Sequence, residues 1–396
     1  MTGYKFYLLQ FLFLICMLPY TEGQTIVNRF NNQGIRFYDL SDALFKKSRI
    51  IAEHESLDLG APAMIPLSGG ITVSYVSPDK KNCLVFARNS SKETGWKYDT
   101  LTVVHSHSGV TGIKGVTLFN VTERKQPPRL LLFNTDSIFL RSISSDQGNT
   151  WGAFEIINGY GGERIIHIHR KDDGVLIAFF CSNENLLKGG SGEGKSLVYK
   201  IYSYDNGISW GLPRIAVKHN IYSLEDAAIA YYNNRKKSKL YMIVHEPDNA
   251  SALFSVSEDD GETWSYPTQL PSLFNGDRHQ IAIYKDDIYV VFRDISLSVN
   301  ANYISQTYGD IMLWKGTVKD IERKQKGDYI VRLIDNSPSG NHLLNNADIN
   351  KYGYITMLPI NKKEILFVGQ GKWETARPAY IRSFILNTDK MISGNN

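Results

Sequence analysis

Cysteine is scarce. Three stand among 396 residues, and Cys16 lies in the N-terminal apolar run. Cys83 and Cys181 remain, so at most one disulfide can form, with two buried free thiols as the alternative; no disulfide framework holds this chain. An excess of one charge is also missing. The net charge is +4 and the pI near 8.6, too mild a balance for a nucleic-acid partner. The densest basic run, Arg235-Lys236-Lys237 with Lys239, reads as a solvated loop. Long 3.6-residue periodicity is rare, and the one helix candidate is DLSDALFKK at 39–47. Beyond the N-terminal run no segment is apolar enough to cross a bilayer, which argues against stable membrane insertion.

The N-terminus carries one basic residue, Lys5, ahead of FYLLQFLFLICMLPY at 6–20. Small residues follow at Thr21 and Gly23. The pattern reads as a secretory signal over 1–23, an uncleaved anchor being the competing reading. Residues 24–396 are then one exported domain, secreted or periplasmic. Asn89, Asn120 and Asn249 open glycosylation sequons that matter in a eukaryotic host.

What the sequence has in quantity is β-forming text. Aromatics make up 12%, with 23 Tyr. VLIAFF, LVYKIYS, KLYMIVH, ALFSVS, IAIYKDDIYVVF and YIVRLI are short, rich in β-branched and aromatic residues, and bounded by turn residues. Three related segments punctuate them: SSDQGNTW at 144–151, SYDNGISW at 203–210 and SEDDGETW at 257–264. They recur at a period of roughly 55–60 residues, in the range of stacked or radial repeats. Each follows one strand and precedes another. The Gly supplies a positive φ, the Asp accepts N–H groups of its own turn, and the Trp packs between sheets. Each segment is therefore expected to be the hairpin between the third and fourth strands of a four-stranded unit, with a structural rather than catalytic role. ARNSSKETGW at 87–96 looks like a decayed fourth copy.

First strands mark the units, opening at Gly60, Gly115, Glu163, Glu225, Asp277 and Tyr352. Six such units give an all-β fold, a six-bladed β-propeller with hairpins of this type. In a blade, the start of strand 1 and the loop between strands 2 and 3 share one rim, opposite the repeated hairpin. That rim gathers Glu163, Arg164, Glu225, Asp226, Arg278, His279, Tyr352 and Tyr354 from strand starts. Asp79, the loop 182–196, His245, Glu246, Arg293, Asp294 and Trp373 come from the 2–3 loops. A glycosidase needs a carboxyl acid and a nucleophile or base across a sugar ring, and a Tyr activated by a carboxylate can be that nucleophile. Tyr354, Glu225 and Asp79 meet the requirement.

Repeated Asp boxes on a six-unit pattern resemble the sialidase (neuraminidase) superfamily, over roughly residues 50–386. The resemblance implies a Tyr nucleophile, a Glu base and an Asp acid. The Tyr opens the sixth blade in KYGYITML, matching Tyr354, with Tyr352 as the alternative register. The Glu opens the fourth in SLEDAAIAYY, matching Glu225. The Asp lies in the 2–3 loop of the first in SPDKKNC, matching Asp79. It also implies three arginines holding a sugar carboxylate, where this chain has Gly60-Ala61-Pro62, His245-Glu246-Pro247 and Gly309-Asp310-Ile311. Other cations fall on the same rim: Arg164, Arg278, His279, Arg293 and Arg377. The expected substrate contacts are Arg278, His279, Arg293, Asp294, Arg164, His245 and Trp373. The leading function is an exo-glycosidase releasing terminal acidic sugars from glycans. The alternatives are a lyase of uronic-acid polysaccharides with a His or Tyr base, and a propeller that binds glycans without turnover.

Two signals are set aside. GGSGEGKS at 189–196 fits a phosphate-loop pattern, yet SLVYKIYS after it reads as a strand, where phosphate binding needs a helix N-terminus. His105-Ser106-His107 and His167-Ile168-His169 put two imidazoles on one face of a strand, but no third ligand stands at a usual spacing. No metal and no cofactor is expected. The histidines read as hydrogen-bonded strand residues, or as proton acceptors in the lyase alternative if they reach the rim.

Overall fold

The computed structural model describes residues 30, 33–54, 59–67, 70–76, 83–89, 97–102, 115–123, 125–134, 138–157, 159–186, 194–234, 237–248, 251–295, 307–336, 353–371 and 379–389. The N-terminal run 6–20, most of the decayed copy at 87–96, and His105 and His107 lie outside this set. Among the described residues no helix is long and apolar enough to cross a membrane.

The described strands form six sheets. Sheet I holds β3 (Ala63–Leu67), β4 (Gly70–Val76), β5 (Cys83–Asn89) and β6 (Lys97–Thr102). Sheet II holds β7 (Val116–Asn120), β8 (Leu130–Asn134), β9 (Leu140–Ser144) and β10 (Glu155–Ile156). Sheet III holds β11 (Ile165–Arg170), β12 (Leu176–Asn183), β13 (Ser196–Ser203) and β14 (Arg214–Val217). Sheet IV holds β15 (Glu225–Asn233), β16 (Ser238–Glu246), β17 (Ser251–Ser257) and β18 (Thr268–Gln269). Sheet V holds β19 (Asp277–Tyr284), β20 (Asp287–Arg293), β21 (Ile311–Thr317) and β22 (Tyr329–Ile334), and sheet VI holds β23 (Ile355–Pro359), β24 (Glu364–Gly371) and β25 (Ala379–Asn387). The first strand of each sheet touches the first strand of the next, and β23 returns to β3. The fold is an all-β propeller.

Six sheets of four strands were expected. Five have that size, and sheet V departs from it by gaining a fifth strand. The cause lies in the N-terminal segment. β1 (Arg36–Asp39) pairs in parallel with β22 on the outer edge of sheet V. α1 (Ser41–Lys47) follows, and β2 (Arg49–His54) pairs antiparallel with β25 to become the fourth strand of sheet VI. One segment, Arg36–His54, thus joins two sheets.

The core runs along the seams between sheets. In β12, Leu176, Ala178 and Phe180 pack toward sheet II, while Ile177, Phe179 and Cys181 pack toward sheet IV. A strand with both faces covered buries both halves of its period-2 alternation, which is why these strands read as continuous apolar runs. Cys181 is a free, buried thiol.

The three repeated segments occupy the hairpins β9–β10, β13–β14 and β17–β18. All three use one turn chemistry. In the third, Ser257 Oγ donates to Asp259 Oδ1 at 2.8 Å and accepts the Gly261 amide at 2.8 Å; Asp259 Oδ1 accepts the Thr263 amide at 2.8 Å. Gly261 has φ +88°, and a Cβ there would lie 2.7 Å from the Phe179 ring of sheet III. Trp264 meets the same Phe179 edge-on at 5.6 Å. These hairpins are pegs between sheets. Sheet V replaces the hairpin with α2 (Val318–Glu322), capped reciprocally by Thr317 and Asp320. Sheet VI has no 3–4 turn because its fourth strand arrives from the N-terminus.

Candidate functional site

Four sheets open their first strand in a comparable way. Sheet IV opens with Glu225-Asp226, sheet V with Asp277-Arg278, sheet III with Glu163-Arg164 ahead of β11, and sheet VI with Gly353-Tyr354 ahead of β23. Glu225 pairs in register with His245, and Asp277 with Arg293; each ladder then slips before resuming at Ala228 and Gln280. The slip is a bulge, and it re-aims side chains at the sheet end. Asp226 and Arg278 take left-handed φ values of 45° and 53°. Such values are strained for residues other than glycine and point to function.

These openings converge on one cavity of about 820 Å³, open to solvent and lined by all six first strands, with Arg164, Arg278 and Tyr354 in its wall. Arg278 stacks over the Tyr354 ring, its Cζ 3.9 Å from the centroid, and Arg164 Cζ lies 6.0 Å from the same centroid. Arg164 also approaches Asp226 Oδ1 at 3.6 Å. Arg293 packs beside Gly353, Cδ 2.9 Å from where a Cβ would stand, and Arg278 Nη1 is 3.6 Å from that point. Three guanidiniums therefore surround the strand that carries Tyr354.

The charges are balanced unequally. Burial lowers the Arg278 pKa and Arg293 lowers it further, while Tyr354 and Asp277 oppose. Arg293 grips Asp277 in a bidentate pair, Nε–Oδ1 2.8 Å and Nη2 to Oδ2. Burial pushes the Asp277 carboxyl up, but this pair outweighs it and the group stays below its ordinary range. Burial raises Glu225; His245 opposes and Asp226 adds to the rise. Glu163 is pushed up to about 7 by burial, then by Asp226 and Glu225, against Arg164 and the Asp226 amide. Glu163 is nonetheless exposed to water, which screens part of the burial and repulsion behind that rise.

The structure thus brings together Tyr354, Arg164, Arg278 and Arg293, with Asp226 joined to them through Arg164; Glu225 opens the same strand as Asp226 and has the buried His245 across the ladder. Two expected substrate contacts fall elsewhere. His279 is fully buried, stacked on Phe292 at 5.5 Å with Nε2 2.9 Å from the Phe274 carbonyl, and its pKa is lowered to about 4 mainly by burial. Asp294 is fully buried and accepts from Thr307 Oγ1 at 2.6 Å. Both brace the inside of sheet V instead of facing the mouth. Asp79 and Trp373, with Tyr352 and Arg377, lie outside the described residues. His167 and His169 do not reach the rim: His169 Nε2 lies 3.3 Å from Asp260 in the hairpin of sheet IV. The glycine-rich loop leads into strand β13, not a helix. Of the places where three arginines were implied, Ala61 and Pro62 line the cavity, His245 is buried, and Asp310 is fully buried against Arg332 at 2.7 Å.

Sequence reasoning gave no role to Glu163 or to the Asp277 clamp. The signal was present in the recurring acidic residue one place before each rim residue, in Glu163-Arg164, Glu225-Asp226 and Asp277-Arg278. Its meaning depends on cross-strand register, which the sequence does not display.

Comparison with solved structures gives the class first: the chain has a sialidase-like propeller fold. A protein of unknown function from Dyadobacter fermentans aligns with TM-score 0.62 at 12% identity, over 86% of this chain and 98% of that one. The NanB sialidase of Streptococcus pneumoniae aligns with TM-score 0.55 at 10% identity, over 87% of this chain and 71% of its own. The leech intramolecular trans-sialidase aligns with TM-score 0.55 at 12% identity, over 86% and 70%. At these identities the likeness is one of fold alone. No family model matches the sequence, and no curated protein does.

Proposed function

We propose that the protein is an exported exo-glycosidase that removes terminal acidic sugars from glycans, built as six blades with the five-stranded sheet counted as one of them. The observation that carries this reading is Tyr354 in the cavity wall beneath the Arg278 guanidinium, with Arg164 beside it and reaching Asp226, which follows Glu225 at the opening of sheet IV. A sugar carboxylate is held by guanidiniums, which match a planar anion. An anionic sugar repels a carboxylate nucleophile, whereas a neutral phenol approaches it without that cost. The presence of sialic-acid enzymes among the proteins of like fold supports the same substrate class.

In the reaction, the Tyr354 oxygen bonds to the anomeric carbon as the glycosidic bond breaks. Glu225 takes the phenol proton, and Asp79 gives a proton to the departing oxygen. Water then attacks the glycosyl-tyrosine, losing its proton to Asp79 while the phenol recovers its own from Glu225. Acid and base are restored.

The test is a turnover screen of the mature chain on sialosides, uronides and sulfated sugars. Tyr354→Phe is expected to lower turnover by roughly 10³-fold or more, as loss of a nucleophile does. A Phe variant as active as the wild type refutes the assignment. Unsaturated, ultraviolet-absorbing products refute hydrolysis in favour of elimination.

A further inference from the structure

The cavity wall has a second level. Arg164, Arg278 and Tyr354 stand at the strand openings, and two residues further along the same segments stand Ile166, Gln280 and Thr356, lining the same cavity. Residues two apart on a strand share a face and lie roughly 7 Å apart. Met64 from sheet I and Phe119 from sheet II join this wall, so much of it is apolar. Gln280 and Thr356 interrupt it from sheets V and VI, whose first strands touch. The backbone of Gln280 is fixed by its ladder with Val291. Its side chain is not tied down: among the described residues the Gln280 amide makes no hydrogen bond, and neither does the Thr356 hydroxyl. Thr117 Oγ1, from another residue of the same wall, is likewise without a partner.

Polar groups held in a protein wall are nearly always hydrogen-bonded, and a glutamine amide left over offers both a donor and an acceptor to what enters. Apolar neighbours strengthen a bond made there and raise the cost of a mismatch. We infer that Gln280 is a specificity-determining residue that contacts the substrate, its side-chain amide hydrogen-bonding an uncharged hydroxyl or amide substituent of the sugar, one strand step along the wall from the acid group at Arg164 and Arg278. The spacing of roughly 7 Å suits a pyranose ring read at two ends, by charge at one and by an uncharged hydrogen bond at the other. This rests on the acidic-sugar reading above and adds to it a second point of recognition. An acid without the matching substituent still enters and binds less tightly.

The experiment measures calorimetric affinities of N-acetylneuraminic acid and glucuronic acid, their monodeoxy analogues and their methyl esters, for the wild type and Gln280→Leu. Gln280→Met, of similar length and also without the amide, repeats the series, and thermal melts establish that each variant is folded. In the wild type, one deoxy analogue is expected to bind about 3–10-fold more weakly than its parent, as loss of one uncharged hydrogen bond gives. The variants should bind the parent sugar more weakly by a similar factor and lose nothing further with that analogue, since two changes to one contact do not add. Additive losses for every analogue, or variants that bind the parent as tightly as the wild type, overturn the inference and leave the acidic-sugar reading standing. The esters test that reading separately, because they lack the charge the arginines hold. They are expected to bind more weakly by the same factor in wild type and variants. Esters as tight as the acids, or no binding of either acid, overturn the acidic-sugar reading and the inference with it.

Discussion

The Asp277–Arg293 pair gives the sharpest test of how the rim is held. Both side chains are buried, at 11% and 4% exposure, and the contact is bidentate. Asp277→Asn keeps shape and removes the carboxylate charge that the buried Arg293 guanidinium grips in the core of sheet V. Breaking a buried pair from one side costs about 3–5 kcal/mol, because a charge stays desolvated. An exposed pair would lose only about 0–1 kcal/mol. Urea unfolding separates these cases, provided the slope of stability on denaturant is unchanged. The double variant Asp277→Leu/Arg293→Met removes both charges and is expected to recover most of the loss, since well-packed apolar replacement of an ion pair is often neutral.

The pH dependence carries an independent sign. The folded Asp277 carboxyl titrates below its ordinary 3.8, so the pair contributes stability above that value, and the contribution fades as pH falls through the lower folded value. The wild type should therefore lose stability on acidification in that window, and Asp277→Asn should lack that component. A single variant costing under about 1 kcal/mol, or a double variant as unstable as the single, refutes the idea that a buried, charge-compensated pair fixes this strand opening.

Further outcomes follow from the same geometry. Gly261→Ala, at φ +88° with a Cβ 2.7 Å from Phe179, is expected to cost about 2–4 kcal/mol in urea unfolding, from backbone strain plus overpacking. Gly174→Ala, at φ +89° with open space around it, should cost only the strain, about 1–2 kcal/mol. Glu163 titrates higher folded than unfolded, so the folded chain binds the extra proton and stability falls as pH rises from 4.5 through 7. Thermal melts of Glu163→Gln should accordingly gain on the wild type above pH 7, and a constant gap across pH contradicts this. Burial, then Glu163, raises the Cys181 thiol well above its ordinary 9.0. Its peptide should stay unalkylated in native protein and react in urea, as read by mass spectrometry.

Much of the fold was legible because its punctuation is chemical. The turn in 257–264 needs a hydroxyl, a carboxylate and a glycine at fixed offsets, and those residues cannot be disguised. The helix Ser41–Lys47, read from the pattern at 39–47, and the strand after GGSGEGKS were legible from local pattern in the same way. The fifth strand of sheet V was not. β1 pairs with β22, Arg36 opposite Tyr329, and nothing in four residues of sequence announces a partner so far along the chain. The closing strand β2 was hidden for the same reason.

The site was legible to the level of which segments meet, because strand openings share a rim in any propeller. It was not legible to the level of which side chain faces the mouth. Arg278 and His279 are neighbours, yet one lies over Tyr354 and the other is sealed against Phe292. Alternation sends adjacent residues to opposite sides, and the bulge between Asp277 and Gln280 decides which residue takes which side. Asp294 was misjudged likewise, since a polar residue after β20 reads as a rim group until its bond to Thr307 is seen.

These bulges also explain why the chemistry gathers here. A left-handed residue other than glycine costs about 1–2 kcal/mol, and the rim holds two of them, Asp226 and Arg278, at matching places in adjacent sheets. Sheet VI also opens on a left-handed residue, Gly353 at φ +105°, just before Tyr354, where a Cβ would meet the Arg293 side chain. A fold that needed only closure could open these strands without left-handed residues, as sheet I does through Ala61-Pro62. The strain sits where a carboxylate, a guanidinium and a phenol are brought into one mouth. If it serves that purpose, relieving it by Asp226→Gly should stabilise the chain while weakening binding of an acidic sugar. Melting temperature and calorimetric affinity, measured on the same preparation, test the two halves separately, and a variant that binds as tightly as the wild type removes the functional reason for the strain.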